Sequence, residues 1–296
     1  MKIYDCFMYF NEDLLTDLRL NILDNYVTKF IITEAEYTHN GTKKKLNFDI
    51  NNFSKFKNKI EYIVVNKEPP NIKQLCENDS SDERGRKLIF NGYSRDIYQR
   101  NALSNGLKDL DDDDLIIISD LDEIPNLENI DLKKIENEIL VFKQKIFYYK
   151  LNLCYDKFPW FGSKACKKKK FLSPQWLREI KAKKYSKLRL DTFFSKKKNT
   201  NIKIIDNGGW HYTYMKSAKE IFYKLSNFAH HYEFEESGLQ IKDIENFILK
   251  KKIKYDYNVD QRGYKWSGKE SLNRISDTEL PSYVKLSLIK YKNWLD

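Results

Sequence analysis

Residues 115–125 read Leu115-Ile116-Ile117-Ile118-Ser119-Asp120-Leu121-Asp122-Glu123-Ile124-Pro125. Four consecutive branched apolar residues, directly after the acidic turn Asp111 to Asp114, read as a short strand buried on both faces at the centre of a sheet. Asp120 and Asp122 stand at its C-terminal end. In extended backbone the i, i+2 spacing turns both carboxylates to one side. Ligands of an open α/β sheet gather beyond the carboxyl ends of its strands. Two convergent carboxylates there suit a hard divalent cation, Mn²⁺ or Mg²⁺, which would offset the charge of a diphosphate leaving group. Glu123 adds a third carboxylate, and Pro125 ends the strand pattern. An Asp-x-Asp often does no more than cap a turn, and the buried strand in front of this one favours the metal reading.

Upstream, residues 2–10 read as a first strand. Asn11 can cap a helix with Glu12 and Asp13 in its first turn, and Leu14, Leu15, Leu18 and Ile22 repeat at helical spacing. Residues 29–35 and 60–66 read as two further strands, so the order strand, helix, strand predicts a parallel βαβ unit. Residues 67–93, with Pro69-Pro70 and a polar cluster, read as a surface loop. Ser94 is the expected cap of a helix carrying Ile97, Leu103, Leu107 and Leu110.

Downstream, residues 139–150 read as one or two strands, 217–232 and 241–254 as helices, and 280–295 as helical. The stretch 152–178 is aromatic and basic. There are no internal repeats. The expected organisation is a domain over residues 1–255 with a helical extension, 256–296, packed on it.

The chain has 296 residues and a net charge of +10. Lys, Asn, Ile, Tyr and Phe are abundant together, which points to coding bias as the main source of the charge, with a weak attraction for anions added. The four cysteines form no CxxC pair and fit no zinc spacing. They read as reduced thiols of a cytoplasmic protein. Asp5 interrupts the first apolar stretch, so a signal peptide is not expected. No run of about 18 apolar residues predicts a membrane span. The run Lys167 to Lys170 would give at most a weak peripheral hold on an anionic membrane.

Two other groups carry possible chemistry. Gly208-Gly209-Trp210-His211-Tyr212 pairs glycines that permit a sharp turn or close approach with a His able to act as metal ligand or base. A hydrogen-bonded structural His is the plainer reading. Gln99-Arg100-Asn101 lies on the helix before the acidic segment. Arg95 and Arg100, five apart, point in different directions, so one of them could reach a diphosphate.

Set side by side, these pieces resemble glycosyltransferase family 17, which includes the β-1,4-mannosyl-glycoprotein 4-β-N-acetylglucosaminyltransferases. The matching pieces are Tyr4-Asp5-Cys6-Phe7-Met8-Tyr9-Phe10-Asn11-Glu12, Leu18-Arg19-Leu20, Phe30-Ile31-Ile32-Thr33-Glu34-Ala35, Gln99-Arg100-Asn101, the segment Ser119 to Pro125, Gly208 to Tyr212, and Lys224-Leu225 with Phe228-Ala229-His230. They stand in family order over roughly residues 3–235. The resemblance implies a GT-A fold, α/β with a Rossmann-like mixed central sheet flanked by helices. It also implies a UDP-sugar donor, UDP-N-acetylglucosamine in characterised members, a glycan or glycolipid acceptor, and inversion at the anomeric carbon.

By motif match, Asp120 and Asp122 would hold metal and diphosphate, and His211 would complete the metal shell or touch the diphosphate. Glu34 would lie near the nucleoside, and Asn11, Glu12 and Arg100 would line the donor cleft. Inversion in one displacement needs a base but no covalent nucleophile. Asp122, Glu123, Glu179 and His211 are the candidates.

Two readings compete. A haloacid-dehalogenase-like metal phosphohydrolase also follows a strand with Asp-x-Asp. It calls for Thr or Val two places after the second Asp, near the N-terminus, whereas Ile124 stands there in mid-chain. A non-enzymatic glycan- or nucleic-acid-binding protein would use the charge and the aromatics, but it gives no reason for acids to cluster at a strand end. Nucleic acid is not an expected partner.

Overall fold

The computed structural model describes residues 1–128, 130–135, 138–183, 185, 195, 197, 198, 201–253 and 270–296. A seven-stranded mixed sheet forms its centre. β1 (Ile3–Met8), α1 (Asp13–Leu23) and β2 (Lys29–Ala35) make the expected βαβ unit, with Tyr4 beside Lys29 and Met8 beside Thr33 in parallel register. β3 (Ile60–Val65) extends it. β4 (Leu115–Ile118) pairs with the other side of β1, so the run Leu115-Ile116-Ile117-Ile118 is central and wholly buried.

Its lack of alternation has a direct cause. Leu115 and Ile117 pack with Leu15, Leu18 and Leu23 of α1 on one face. Ile116 and Ile118 pack on the other with Leu103, Leu107 and Leu177, the last from α3 (Pro174–Glu179). A strand covered on both faces has no reason to carry polar residues.

The chain then divides between two sheets. β6 (Ile139–Phe142), β9 (Lys164–Lys167) and β10 (Ile202–Ile205) complete the first, in the order β10-β6-β9-β4-β1-β2-β3. β5 (Glu123–Pro125), β7 (Gln144–Tyr148), β8 (Leu153–Trp160), β11 (Gly209–Thr213) and β14 (Asn273–Arg274) form a second, five-stranded sheet, and β12 (Lys252–Ile253) and β13 (Glu270–Ser271) form an antiparallel pair of their own. Residues 139–150 are therefore two strands, one in each sheet. Helices α4 (Ala218–Asn227), α5 (His231–Glu236) and α6 (Ile241–Leu249) cover the second sheet through Ile221, Leu225, Phe234 and Ile244.

Several boundaries differ from those read in the sequence. A 22-residue helix, α2 (Ser81–Ala102), begins inside the expected loop, capped by Ser80 in a capping box with Glu83. Ser94 lies within it and caps nothing. The part before Ser94 escaped hydrophobic periodicity because its buried positions are Gly85, Asn91 and Gly92, and the buried face continues polar through Ser94, Arg95, Gln99 and Arg100. The expected helix 217–232 breaks at Phe228, whose backbone is extended (φ −88°, ψ 178°). Of the expected helix 241–254, residues 241–249 are helical and residue 254 lies outside the described residues. The expected 280–295 helix is two short ones, α7 (Ser282–Leu286) and α8 (Leu288–Tyr291), separated at Ser287.

Residues 256–269 of the expected C-terminal extension lie outside the described residues. From Glu270 onward the tail joins the main body. β14 adds to the second sheet, and Leu280, Val284 and Tyr291 enter the core that α1 closes. Among the described residues no helix is long and apolar enough to cross a membrane.

Candidate active site

The acidic segment is shaped by the join between the two sheets. After Ile118 the strand stops, and the Glu123 amide donates to the Asp120 carbonyl at 3.0 Å. Residues 120–123 are thus a turn, not the extended backbone that would set Asp120 and Asp122 on one side. They diverge to different walls of the same cavity.

Glu123 then opens β5, which pairs antiparallel with β11. Gly209 stands opposite Pro125, Trp210 opposite Ile124 and His211 opposite Glu123. The Tyr212 amide donates to the Asp122 carbonyl at 2.8 Å. Backbone pairing thereby brings two motifs 86 residues apart to one place. Gly209 has φ +123°, and a Cβ there would lie 2.1 Å from the Ile124 carbonyl oxygen. The glycine pair lets two strands approach each other, rather than a ligand.

The cavity, about 460 Å³, opens beyond the carboxyl ends of β1 and β4. Asp120 accepts from Arg100 Nη1 at 2.7 Å on one oxygen and from Arg178 Nη2 at 2.7 Å on the other. Asp96 takes the other nitrogen of Arg100 through both its oxygens. Across the cavity Lys224, from α4, lies 3.1 Å from Glu12 and 3.5 Å from Asp122. His211 Nε2 lies 3.7 Å from Asp122 Oδ1, and its ring stacks on Trp160 with centroids 4.6 Å apart. His211 Nδ1 is buried and has no hydrogen-bond partner among the described residues.

The expected residues separate accordingly. Glu12, Arg100, Asp120, Asp122 and His211 line the cavity. Four others stand off its wall. Glu34 is fully buried and organises residues 44–48, accepting from Lys44 Nζ, the amides of Asn47 and Phe48, and the Tyr62 hydroxyl. Asn11 offers its carbonyl to Lys216 Nζ at 2.6 Å.

Glu123 is also wholly buried. Its carboxylate accepts from Trp160 Nε1 at 2.6 Å, from both terminal nitrogens of Arg178, and from the Asp120 amide at 2.9 Å. Glu179 accepts from the Tyr93 hydroxyl at 2.8 Å and pairs with Lys197 at 2.8 Å. Arg95 turns away to Glu68 and the His39 carbonyl.

Sequence reading gave no role to Arg178, Trp160, Asp96 and His39, nor to Lys224, which it quoted only within a matching motif; all five are on the cavity wall. One signal was there to find. The chain has nine arginines among its 53 basic residues. In so lysine-rich a chain, an Arg marks a place where a planar fork is needed. Arg100 and Arg178 are two such places.

Burial works against charge at each of these groups, and their partners decide the outcome. Arg178 and Arg100 more than offset the burial of Asp120 and hold its carboxyl far below the usual range. Glu12 and Asp122 hold Lys224 above the ordinary lysine range despite its burial, and Lys224 and Lys216 in turn keep Glu12 low. Burial lowers His39, favouring its neutral ring. Lys164, behind Arg178 and donating to its carbonyl, is brought down to about 7 by burial and by the Arg178 charge.

The cavity is thus lined by fixed opposite charges at the mouth of a parallel βαβ unit, a setting for an anionic ligand with a polar partner. The sequence matches the model of glycosyltransferase family 17 over residues 1–295. No curated protein matches it. The phosphohydrolase and non-enzymatic binding readings give way to that match, which runs through every element of both sheets, and the chain belongs to glycosyltransferase family 17.

Proposed function

We propose that this glycosyltransferase moves N-acetylglucosamine from UDP-N-acetylglucosamine to a glycan hydroxyl with inversion, in a GT-A-type site that uses Mn²⁺ or Mg²⁺. Family membership carries the coarser statement: a hexosyltransferase with a nucleotide-sugar donor and a glycan acceptor. The observation that carries the rest is the meeting of Asp122, His211 and Lys224 in one cavity with the Arg100–Asp120–Arg178 cluster.

The donor set fits a cation at Asp122 and His211. Their 3.7 Å separation is close to the spacing of roughly 3 Å that adjacent ligands of one six-coordinate ion adopt. Asp120, the other expected ligand, already has both oxygens on guanidinium groups. Among the described residues no three His, Cys, Asp or Glu side chains gather as a cage. The remaining positions of the ion would fall to diphosphate oxygens and water. When bound, the ion supplies positive charge against the departing diphosphate.

The chain's own residues do the rest. Lys224 stands where it can leave Asp122 for a phosphate oxygen. Arg100 and Arg178 keep Asp120 ionised and fix the turn that carries Asp122. Trp160 stacks on His211 and limits its rotation. Of the four candidate bases, Asp122 and His211 face the cavity, while Glu123 and Glu179 are engaged elsewhere.

A peripheral hold on anionic membrane is less well supported. Lys167 and Lys169 both pair with Asp113 at 3.0 Å, which offsets part of the charge of the lysine run.

The test is a sugar-nucleotide turnover assay across UDP- and GDP-sugars, with and without Mn²⁺. Metal-dependent release of UDP from UDP-N-acetylglucosamine supports the proposal. Turnover of another sugar replaces the donor assignment, and no turnover of any sugar rejects the reading of the site.

A further inference from the structure

Arg19 has no part in the cavity wall, yet it touches the catalytic segment more than any other side chain of α1. It is fully buried, as is Asp5 of β1. Arg19 Nε donates to Asp5 Oδ2 at 2.7 Å and Nη2 to Oδ1 at 2.6 Å. Its remaining nitrogen, Nη1, donates to three carbonyls of the acidic turn: Asp120 at 3.1 Å, Leu121 at 3.2 Å and Glu123 at 2.7 Å. The guanidinium also lies 4.8 Å from the centroid of the Phe7 ring. One side chain therefore joins β1, α1 and the turn that directs Asp120 and Asp122 into the cavity.

A buried ion pair is a poor device for stability alone, because an apolar pair of equal volume is often as good or better. What an apolar pair cannot do is gather three carbonyls. A lysine carries the charge but lacks the planar fork that binds Asp5 in two places while a third nitrogen faces the turn. With those carbonyls uncollected, the short link between β4 and β5 could not hold one conformation inside the protein.

We propose that Arg19, oriented by Asp5, is a positioning residue that sets the conformation of the Asp120–Glu123 turn and so the direction of the Asp122 carboxylate. The kinetic part of the test rests on the transferase reading, and the exchange part does not.

The experiment compares wild type with Arg19→Lys and with the double variant Asp5→Leu/Arg19→Met. Arg19→Lys keeps the charge. The double variant replaces the pair by apolar groups and keeps the protein folded should the single variant fail to fold. Peptide-resolved hydrogen exchange follows residues 119–124 against β2, and steady-state kinetics follow kcat and KM with UDP-N-acetylglucosamine and Mn²⁺.

The proposal expects exchange in the turn to quicken at least tenfold with β2 unchanged. It expects kcat for release of UDP from UDP-N-acetylglucosamine to fall at least tenfold in a variant whose melting temperature is kept. Wild-type exchange in the turn of a folded variant overturns it, as does kcat within twofold of wild type or a loss that merely tracks melting temperature. If wild type transfers no sugar, the functional reading fails and the exchange result still decides the role of Arg19.

Discussion

The imidazole of His211, on β11, stands 3.7 Å from the carboxylate of Asp122, in the turn before β5, because β11 pairs with β5 and no sequence window spans the two. If these two groups share a cation, each is needed and neither is needed for folding. Asp122→Asn and His211→Ala should each lower transfer at least about 100-fold, the scale for losing a preorganised charge at a leaving group. Melting temperatures should stay near wild type. Steady-state assays across a Mn²⁺ titration provide the check. Activity within a few-fold of wild type at saturating Mn²⁺ removes both from the ion.

Arg178 is the common partner of Asp120 and Glu123. Arg178→Met leaves the wholly buried Glu123 carboxylate with Trp160 and one amide. Breaking a buried pair from one side costs about 3–5 kcal/mol, so urea unfolding should show a loss of that order. Arg178→Met/Glu123→Gln should recover much of it, since no buried charge is then stranded. Equal loss in single and double variants would assign Arg178's contribution to packing instead.

Gly209→Ala tests the join of the sheets. The new Cβ meets the Ile124 carbonyl at 2.1 Å and the backbone has φ +123°. A residue forced into such a conformation costs on the order of 1–3 kcal/mol before any clash is counted. The expected result is a stability loss of at least about 2 kcal/mol, together with loss of transfer as His211 moves from Asp122. A variant as stable and active as wild type would show that the strands need not approach so closely.

Lys164 gives a pH signature. Its pKa falls from 10.5 to about 7 on folding. Below about 7 folded and unfolded chains both carry the proton, so the penalty of burying the charge is full and constant. Between about 7 and 10.5 the unfolded chain holds a proton the folded one has released, and rising pH favours the fold. Lys164→Met avoids the penalty. Its stability relative to wild type should therefore be greatest near pH 7 and shrink toward pH 10. Chemical denaturation across that range measures it, and a constant difference would mean that Lys164 titrates normally.

The parts of the fold that were legible are those with a simple physical signature. β1, α1, β2 and β4 announce themselves through apolar runs and helical spacing, and the buried run 115–118 located the acidic segment. α2 was missed over its first half because its buried positions there, Gly85, Asn91 and Gly92, leave no apolar stripe to read. The same polar face explains why Asp96 went unnoticed. The turn at Asp120–Glu123 was read as extended because strand periodicity says nothing of the β11 pairing that bends it. Glu34 entered only through the family resemblance, as a residue near the nucleoside; it stands off the cavity wall and gathers the amides of Asn47 and Phe48. Lys224 and Arg178 lie 102 and 58 residues from the acids they meet; Lys224 arrives with the helix that covers the second sheet, and Arg178 with the short helix Pro174–Glu179 packed on β4 and β9 of the first.

Calorimetric titration of UDP-N-acetylglucosamine into the wild-type protein, with and without Mn²⁺, and into Asp122→Asn addresses the central claim most directly. The account predicts saturable binding with Mn²⁺, binding at least tenfold weaker without it, and no gain from Mn²⁺ in Asp122→Asn. Equal binding by both proteins whether or not Mn²⁺ is present would contradict it.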